Sequence, residues 1–568
     1  IDPFPFYVKF FDLELIGKNY IKTFKELNKL VFYDKISTHY NLIEQKNPEK
    51  KSKNVYNCLI VNKLHKIMSV IILNDDYISI YYNIFIDKEN KINIVKSETT
   101  HSFWTKNKND SSKELDAYIV KNEEEIKKEI YKLNSNNSNK KKVTNKFFYD
   151  RCYKFSKRKI HLKEINEMYK RQHLHIPNAL QIFIKNGESY FIVLNPDNRD
   201  KLFEKIILNI DNIYENDMKI FKHSKIWTSN NKENCFYIKH SPIISLHQSQ
   251  EAEYFIKNQK KMNNINNKDY KIIMDENSLK DVMCNNWTKN RISNYDYLML
   301  LNILSGRSLN DLSQYFIFPW IIKDFDKNNL NWLSDEIYRD LSLPIHACGE
   351  DKERIISKYE LLDDEKYHSG TFYSTHSFVS YFLIRQRPFT EIHLEMQGAK
   401  FDAQARMFNS AEQLSNISEK YQELIPSLFY FPELFIKESY LFESNEKEQE
   451  PFNDYILPNW CKNDPRKFTI ILKKILESKE VSINLNSWID LIFGYKQKGP
   501  NAIKSLNIYR NACYPSTKAE LEKMEEDGEL ESYMYEKEEL GCTGKQLFNK
   551  AHKSKDVNIE NTKNKKIF

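Results

Sequence analysis

Scarcity of glycine narrows the folds open to this chain more than any other feature: 568 residues carry only 11, where average usage is roughly 7%. They stand at 17, 187, 306, 349, 370, 398, 494, 499, 528, 541 and 544. No two are separated by a single residue, so no G-x-G-x-x-G dinucleotide loop or kinase loop exists. Gly494 and Gly499 are the pair five apart, and Pro500 follows them where a phosphate loop needs Lys. Phosphate cradles that depend on close backbone approach are therefore disfavoured. No Ser stands between glycines as G-x-S-x-G, which argues against the hydrolase elbow.

Cysteine points the same way. The eight cysteines (58, 152, 235, 284, 348, 461, 513, 542) include no C-x-x-C pair, so zinc ribbons and disulfide scaffolds are disfavoured. No His precedes Glu, so H-E-x-x-H is absent. His173 and His175 would share one face of a strand but have no third ligand nearby in sequence, and read as surface imidazoles. The 86 Lys+Arg against 79 Asp+Glu leave a net charge of +7, too dilute over this length to mark a nucleic-acid binder. Apolar runs such as Ile67 to Leu73 fall far short of the roughly 20 residues of a membrane span. A reducing, cytosolic setting follows, and the start at Ile1-Asp-Pro-Phe-Pro reads as a fragment boundary.

Three Asn/Lys-rich stretches punctuate the chain: Asn47 to Asn54, Asn134 to Asn145 and Asn258 to Lys268. None has the periodic apolar residues of a packed element. The first and third read as boundaries and the second as a disordered insert within a domain. Residues 1–50 then form an N-terminal segment, with Ile21, Phe24, Leu27, Leu30 and Val31 at helical spacing and no chemistry attached.

Residues 55–215 change character. Cys58-Leu-Ile-Val, Ile67-Met-Ser-Val-Ile-Ile-Leu, Tyr77-Ile-Ser-Ile-Tyr-Tyr, Ala179-Leu-Gln-Ile-Phe-Ile and Tyr190-Phe-Ile-Val-Leu are β-branched and aromatic runs that predict an antiparallel sheet folded on itself. Lys185-Asn-Gly-Glu suits a hairpin turn. From Asn198 to Ile210, Leu202, Ile206, Ile207 and Ile210 fall on one side of a closing helix. This order resembles a pleckstrin-homology (PH) domain. Ile160-His-Leu-Lys-Glu-Ile-Asn-Glu-Met-Tyr-Lys-Arg, followed by Ala179-Leu-Gln-Ile-Phe-Ile-Lys-Asn-Gly-Glu-Ser-Tyr-Phe, is similar to the divergent PH-like module that precedes BEACH domains.

The densest signal lies in residues 281–516. It opens with Trp287-Thr-Lys-Asn-Arg-Ile-Ser-Asn-Tyr-Asp-Tyr-Leu and runs on to Ser313-Gln-Tyr-Phe-Ile-Phe-Pro-Trp. This resembles the opening of the BEACH family, the relatives of neurobeachin and the Chediak–Higashi protein. Tyr338-Arg-Asp-Leu-Ser-Leu-Pro-Ile, Leu383-Ile-Arg-Gln-Arg-Pro-Phe-Thr, Phe429-Tyr-Phe-Pro-Glu and Trp488-Ile-Asp-Leu-Ile-Phe-Gly-Tyr-Lys-Gln-Lys-Gly-Pro follow in the family's order. Phe316, Ser369, Phe372 and Ala399 depart from the family's usual Pro, Tyr, His and Gly.

The resemblance implies an α+β chain: a PH-like antiparallel β-sandwich with a C-terminal helix over 55–215, a linker over 216–280, a mostly α-helical BEACH domain with irregular extended segments over 281–555, and a tail over 556–568. WD40 repeats usually follow such a module. Many prolines beside apolar residues indicate buried irregular backbone, which needs side-chain partners. Asn294, Asn302, Arg307, Asp340, Arg385, Gln397, Asp402, Arg406 and Asp490 are candidates to supply them.

For function, the resemblance implies that the two domains dock and form a groove for a protein or peptide partner. Tyr169, Lys170, Arg171 and His173 would line it from the PH side and Asn294, Tyr295 and Tyr297 from the BEACH side. The alternative is a phosphoinositide-binding membrane module, with Lys154, Lys157, Arg158 and Lys159 facing an anionic surface. An enzyme would recruit His368, Asp402, Glu433, Asp490 and Lys496, but no nucleophile–base signature joins them. The expected protein is a non-enzymatic scaffold in vesicle traffic, cytoplasmic and peripheral on endomembranes, with no cofactor, metal or nucleic acid.

Overall fold

The computed structural model describes residues 54–62, 65–82, 84–86, 92–94, 117–118, 157–184, 188–217, 276–323, 325, 334–348, 352–363, 365–386, 389–396, 407–414, 422–437 and 453–556. The expected N-terminal helices, the 134–145 insert, most of the 216–280 linker, Lys154, Gln397, Asp402 and Arg406 lie outside them. The chain is a mixed α+β protein built from a curled antiparallel sheet and a helical domain.

The sheet contains β1 (Asn54–Asn62), β2 (His65–Leu73), β3 (Tyr77–Tyr82), β7 (Lys157–His161), β8 (Ile165–His173), β9 (Ile176–Ile184) and β10 (Ser189–Val193). Between them, β4 (Ile84–Ile86) pairs with β5 (Ile92–Ile94), and β6 (Ala117–Tyr118) pairs with the start of β1. The order across the main sheet is β7-β3-β2-β1-β10-β9-β8. Its two edge strands, β7 and β8, are joined by the single turn Leu162–Glu164. Six gaps of about 4.8 Å would hold the edges of a flat sheet roughly 29 Å apart. Four chain steps from His161 to Ile165 reach only about 14 Å, so the sheet must roll until its edges approach. One rolled sheet thus provides both layers that the sequence leads one to expect of a sandwich.

Alternation decides what lies inside the roll. Tyr56, Cys58 and Ile60 of β1 meet Ile71, Ile78, Ile80, Ile160, Leu180, Ile182 and Ile192 in one buried cluster. Helix α1 (Pro196–Asp217) closes this core with Leu202, Phe203, Ile206 and Ile210. The opposite face is also covered across β9 and β10, where Ala179, Phe191 and Val193 are buried together with Val61. That explains why β10 reads as a continuous apolar run rather than an alternating one.

Helices α2 (Glu276–Thr288), α3 (Asn294–Leu304), α4 (Lys352–Glu360), α5 (His376–Phe382) and α6 (Phe389–Met396) begin the helical domain. Helices α7 (Pro465–Leu476), α8 (Lys479–Ile492), α9 (Pro500–Lys504), α10 (Lys518–Glu526) and α11 (Leu530–Leu540) complete it. Sequence sets the ends of α7: Asp464 accepts from the backbone N–H groups of Arg466 and Lys467, and Pro465 takes the first turn. Its Phe468, Ile471, Leu472, Ile475 and Leu476 make one apolar stripe. Between helices run short turns such as Pro426–Phe429 and Pro432–Phe435 and long irregular segments. Among the described residues, no helix is long and apolar enough to cross a membrane.

Candidate functional site

Where the sheet meets the helical domain, the hairpin of β8 and β9 supplies the contact. Its two-residue turn, Leu174 and His175, closes with His173 opposite Ile176, and both central residues are left-handed, at φ 50° and 67°. Such turns are ordinarily built from Asn and Gly. Leu and His there carry strain of about 1–3 kcal/mol each, which persists only if the surroundings hold it. The helical domain does so: the Leu174 N–H donates to Asp311 Oδ2 at 3.1 Å. Asp311 is itself fixed, because its other oxygen accepts from the Ser313 N–H at 2.9 Å and from the Ser313 hydroxyl at 2.7 Å.

Arg171 makes the second cross-domain bond. It is 4% exposed, its Nη1 donates to the Ile303 carbonyl at 2.8 Å, and its Nε donates to Gln181 Oε1 at 2.9 Å. Ile303 lies in the last turn of α3, where a guanidinium meets the negative end of the helix dipole. The guanidinium also lies 4.5 Å from the Tyr169 ring centroid. Tyr169 stands edge-on to Phe183 at 5.8 Å, and both rings join the buried cluster of the helical domain. His173, also buried, lies 6.1 Å from Phe191.

Tyr169, Arg171 and His173 therefore share one face of β8, as a period of two requires. Lys170 points the other way. It pairs with Asp200 of α1 at 3.0 Å and sits over the Phe203 ring at 5.0 Å. The same alternation that groups the other three puts Lys170 on the opposite face of the strand.

The residues expected from the helical side lie in its interior. Asn294 is fully buried: its Oδ1 accepts from Trp287 Nε1 at 2.8 Å and Lys555 Nζ at 2.9 Å, while its Nδ2 donates to the Leu476 carbonyl at 2.7 Å. The N-terminus of α3 is satisfied by Glu477, whose carboxylate accepts from the N–H groups of Asn294 and Tyr295 at 2.8 and 2.9 Å. Burial holds the Glu477 carboxyl above its usual range. Tyr295 packs against Phe318 and Tyr430, with centroids 4.9 and 4.2 Å away. Tyr297 stacks on Trp287 at 5.0 Å and shares a 2.7 Å hydrogen bond with His552 Nε2. None of the three side chains reaches the surface of the junction, because α3 is enclosed on all sides. The helical side instead contributes Asp311 and the Ile303 carbonyl.

The basic residues of the alternative site divide by face. Lys157 and Lys159 lie outward on the edge strand β7, over Tyr81 at 4.9 Å and Tyr77 at 3.6 Å. Arg158 takes the other face, donating to the Tyr190 hydroxyl at 2.8 Å and pairing with Glu188. Two of the residues an enzyme would recruit, His368 and Asp490, are bound to separate segments. His368 Nδ1 accepts from the Ile508 N–H at 3.1 Å, and Asp490 Oδ1 accepts from the His552 N–H at 2.8 Å. Burial pushes the Asp490 carboxyl up to about 6. Gly494 lies tight against it, where a Cβ would come within 2.6 Å of the Asp490 backbone. Among the described residues, no group of three or more His, Cys, Asp or Glu is placed to hold a metal ion.

A cavity of about 610 Å³ lies apart from the junction residues, lined by Lys323, Arg339, Asp340, Cys348 and Glu480 among others. Arg339 is committed to Glu423 at 2.6 Å, a pair almost wholly removed from water.

A curled sheet clamped to a helical domain rich in irregular buried backbone defines the class, and comparison supplies the family. The model of the Beige/BEACH domain matches residues 285–555. The chain is 32% identical over 416 residues to Beige protein homolog 1 of Schizosaccharomyces pombe, covering 70% of this chain and 15% of that protein. It is 38% identical over 282 residues to Beige protein homolog 1 of Saccharomyces cerevisiae (47% of this chain, 13% of that protein). A putative neurobeachin homolog of Caenorhabditis elegans is 37% identical over 278 residues (48% and 11%). The chain belongs to the BEACH-domain family, and the helical domain is its BEACH domain. It spans between 11% and 15% of the length of these relatives.

Proposed function

We propose that this chain is the core module of a large, non-enzymatic scaffolding protein of vesicle trafficking and membrane dynamics, cytoplasmic and peripheral on endomembranes. In this reading the curled sheet is a PH-like domain, and the sheet and BEACH domain together present a groove that recruits a protein or peptide partner. The observation that carries it is the clamp formed by Arg171 on the Ile303 carbonyl and Asp311 on the Leu174 N–H. A composite surface works only if its halves keep one orientation, and two polar bonds across the joint, one buried and one partly buried, favour one. The length of the relatives supports a module within a larger protein.

Reversing Arg171 would test the clamp rather than the surface, because the side chain is buried. Ile176 is the better probe: it adjoins the clamped turn and is 39% exposed. Ile176→Asp should deplete partners captured by cross-linking and mass spectrometry while leaving thermal unfolding within about 1 °C, as expected of an exposed substitution. Ile503→Asp, on α9 and also 39% exposed, should not deplete them. Equal capture by wild type and Ile176→Asp would remove the junction from the proposal.

One observation favours a membrane reading as the alternative: Lys157 and Lys159 project together from an edge strand. Each would contribute about 1 kcal/mol beside anionic lipid. Co-sedimentation with phosphoinositide vesicles, lost in a Lys157→Glu/Lys159→Glu variant and weakened by salt, would support it.

A further inference from the structure

At the tip of the clamped hairpin, His175 is 1% exposed. Neither ring nitrogen has a hydrogen-bond partner among the described residues. A buried imidazole without partners is tolerated only as the neutral form, since burying an unpaired charge costs far more than burying a neutral ring. The groups that face it increase that cost. Lys537 of α11, His376 of α5 and His173 of β8 all bear on it with positive or potentially positive charge. Nearby, the Asp311 carboxylate is occupied by the Leu174 N–H and by Ser313. The Arg171 guanidinium is committed to Gln181 and Ile303. Lys537 cannot swing away, because its Nζ donates to the Ser516 hydroxyl at 3.0 Å and is also bound to the Tyr514 carbonyl.

We infer that the His173–Ile176 turn is a proton-sensitive latch: protonating His175 expels the turn from its seat in the BEACH domain and uncouples the curled sheet from it. Two features make expulsion the available response. The turn is strained, with two left-handed non-glycine residues, so undocking relieves the backbone as well as the charge. It is also a hairpin tip, so leaving its seat hydrates the imidazole without breaking the sheet ladder behind it.

The sign follows from linkage. Burial first, and then Lys537, His376 and His173, hold the docked imidazole well below the ordinary histidine value. The undocked state therefore binds a proton that the docked state refuses. Docking is fully supported above about pH 6.5 and weakens as pH falls, by up to tenfold in the docking equilibrium per pH unit.

Hydrogen exchange on the full chain reads this directly. After correction for the pH dependence of intrinsic exchange, amides around residues 172–178 and 311–313 should lose protection about fivefold between pH 6.5 and 5.5. Amides of the central β1–β10 ladder should keep theirs. In His175→Asn, which tolerates a left-handed backbone and does not titrate, protection should be independent of pH. Unchanged protection in the wild type, or the same fall in His175→Asn, would overturn the latch. If the variant is undocked at every pH, the wild-type imidazole decides by NMR titration: a protonation midpoint well below 6.5 supports the latch, and an ordinary midpoint overturns it.

Discussion

In the curled sheet, β1 is paired with β2 residue by residue from Asn54 opposite Leu73 to Asn62 opposite His65, whereas among the described residues of the BEACH domain long irregular segments meet at isolated bridges such as Phe318 with Leu424. There side chains satisfy part of the backbone. Asn302 donates to the Leu298 and Ile317 carbonyls and accepts from the Ile317 N–H, each at 2.9 Å. Arg385 holds the Phe408 and Asn453 carbonyls, Arg307 those of Tyr315 and Cys542, and Asn507 those of Leu491 and Lys496. A ladder depends on no particular side chain, so its residues are free to pack. A backbone held by side chains depends on each of them, and the loss of one polar group leaves buried partners unpaired.

The sharpest way to break that contrast is at ion pairs. Glu423 accepts from Arg339, from the Trp320 N–H at 2.6 Å and from Trp488 Nε1 at 2.9 Å, all within the BEACH core. Glu423→Ala should destabilise the BEACH domain by about 3–5 kcal/mol, because it strands a buried guanidinium. In the sheet, Glu188 pairs with Arg158 but both side chains are about a quarter to a third exposed, and Glu188→Ala should cost under about 1 kcal/mol. Urea unfolding of each variant checks both. Similar losses would mean that neither burial nor the mode of backbone pairing separates the domains.

Neutral residues give a smaller contrast. Asn302→Ala should cost about 3 kcal/mol, since a buried N–H and a buried carbonyl of Ile317 lose their partner. In the sheet, fully buried Ile182 changed to Val should cost about 1 kcal/mol. If Asn302→Leu were as stable as wild type, side-chain pairing would not be what holds the irregular segments.

The same contrast explains what could be read from sequence. The runs at Cys58, Ile67, Tyr77, Ala179 and Tyr190 all fall in strands, and the helix expected from Asn198 to Ile210 lies within α1, because period and composition are local signals. The curl is also implicit in the three-residue link between edge strands, once the pairing order is known. Strand alternation would have separated Lys170 from Tyr169, Arg171 and His173. The run Leu298-Met-Leu-Leu, apolar all round, is the one signal that could have pointed to an enclosed α3, in which Asn294, Tyr295 and Tyr297 are buried. What covers Arg171 was not legible. Its acceptor lies 132 positions away, and Asp311 reaches Leu174 across 137; no local pattern encodes either pairing. The histidines at 173 and 175 read as surface imidazoles for the same reason, and both are buried.

The last contrast tests how a buried polar network divides its charge. Asp490 and His552 are bound to each other through the His552 N–H, yet burial acts on them in opposite senses, raising Asp490 to about 6 and lowering His552 to about 4. Because the Asp490 carboxyl is raised, its contribution is fully present below its unfolded value and is lost as pH rises through about 6. Because the His552 imidazole is lowered, its contribution is present above about 6.5 and is lost as pH falls through about 4. Between pH 4 and 6 the two slopes oppose and largely cancel, which flattens the wild-type BEACH domain's response to acid. Asp490→Asn keeps the acceptor for the His552 N–H but removes one slope. Its stability should therefore rise with pH across 4–6.5, by up to about 1.4 kcal/mol per unit, and equal or exceed the wild type at pH 7. Urea unfolding at half-unit steps distinguishes the cases: parallel profiles for wild type and Asp490→Asn would show that the carboxylate is ionised throughout and that His552 alone sets the acid limit.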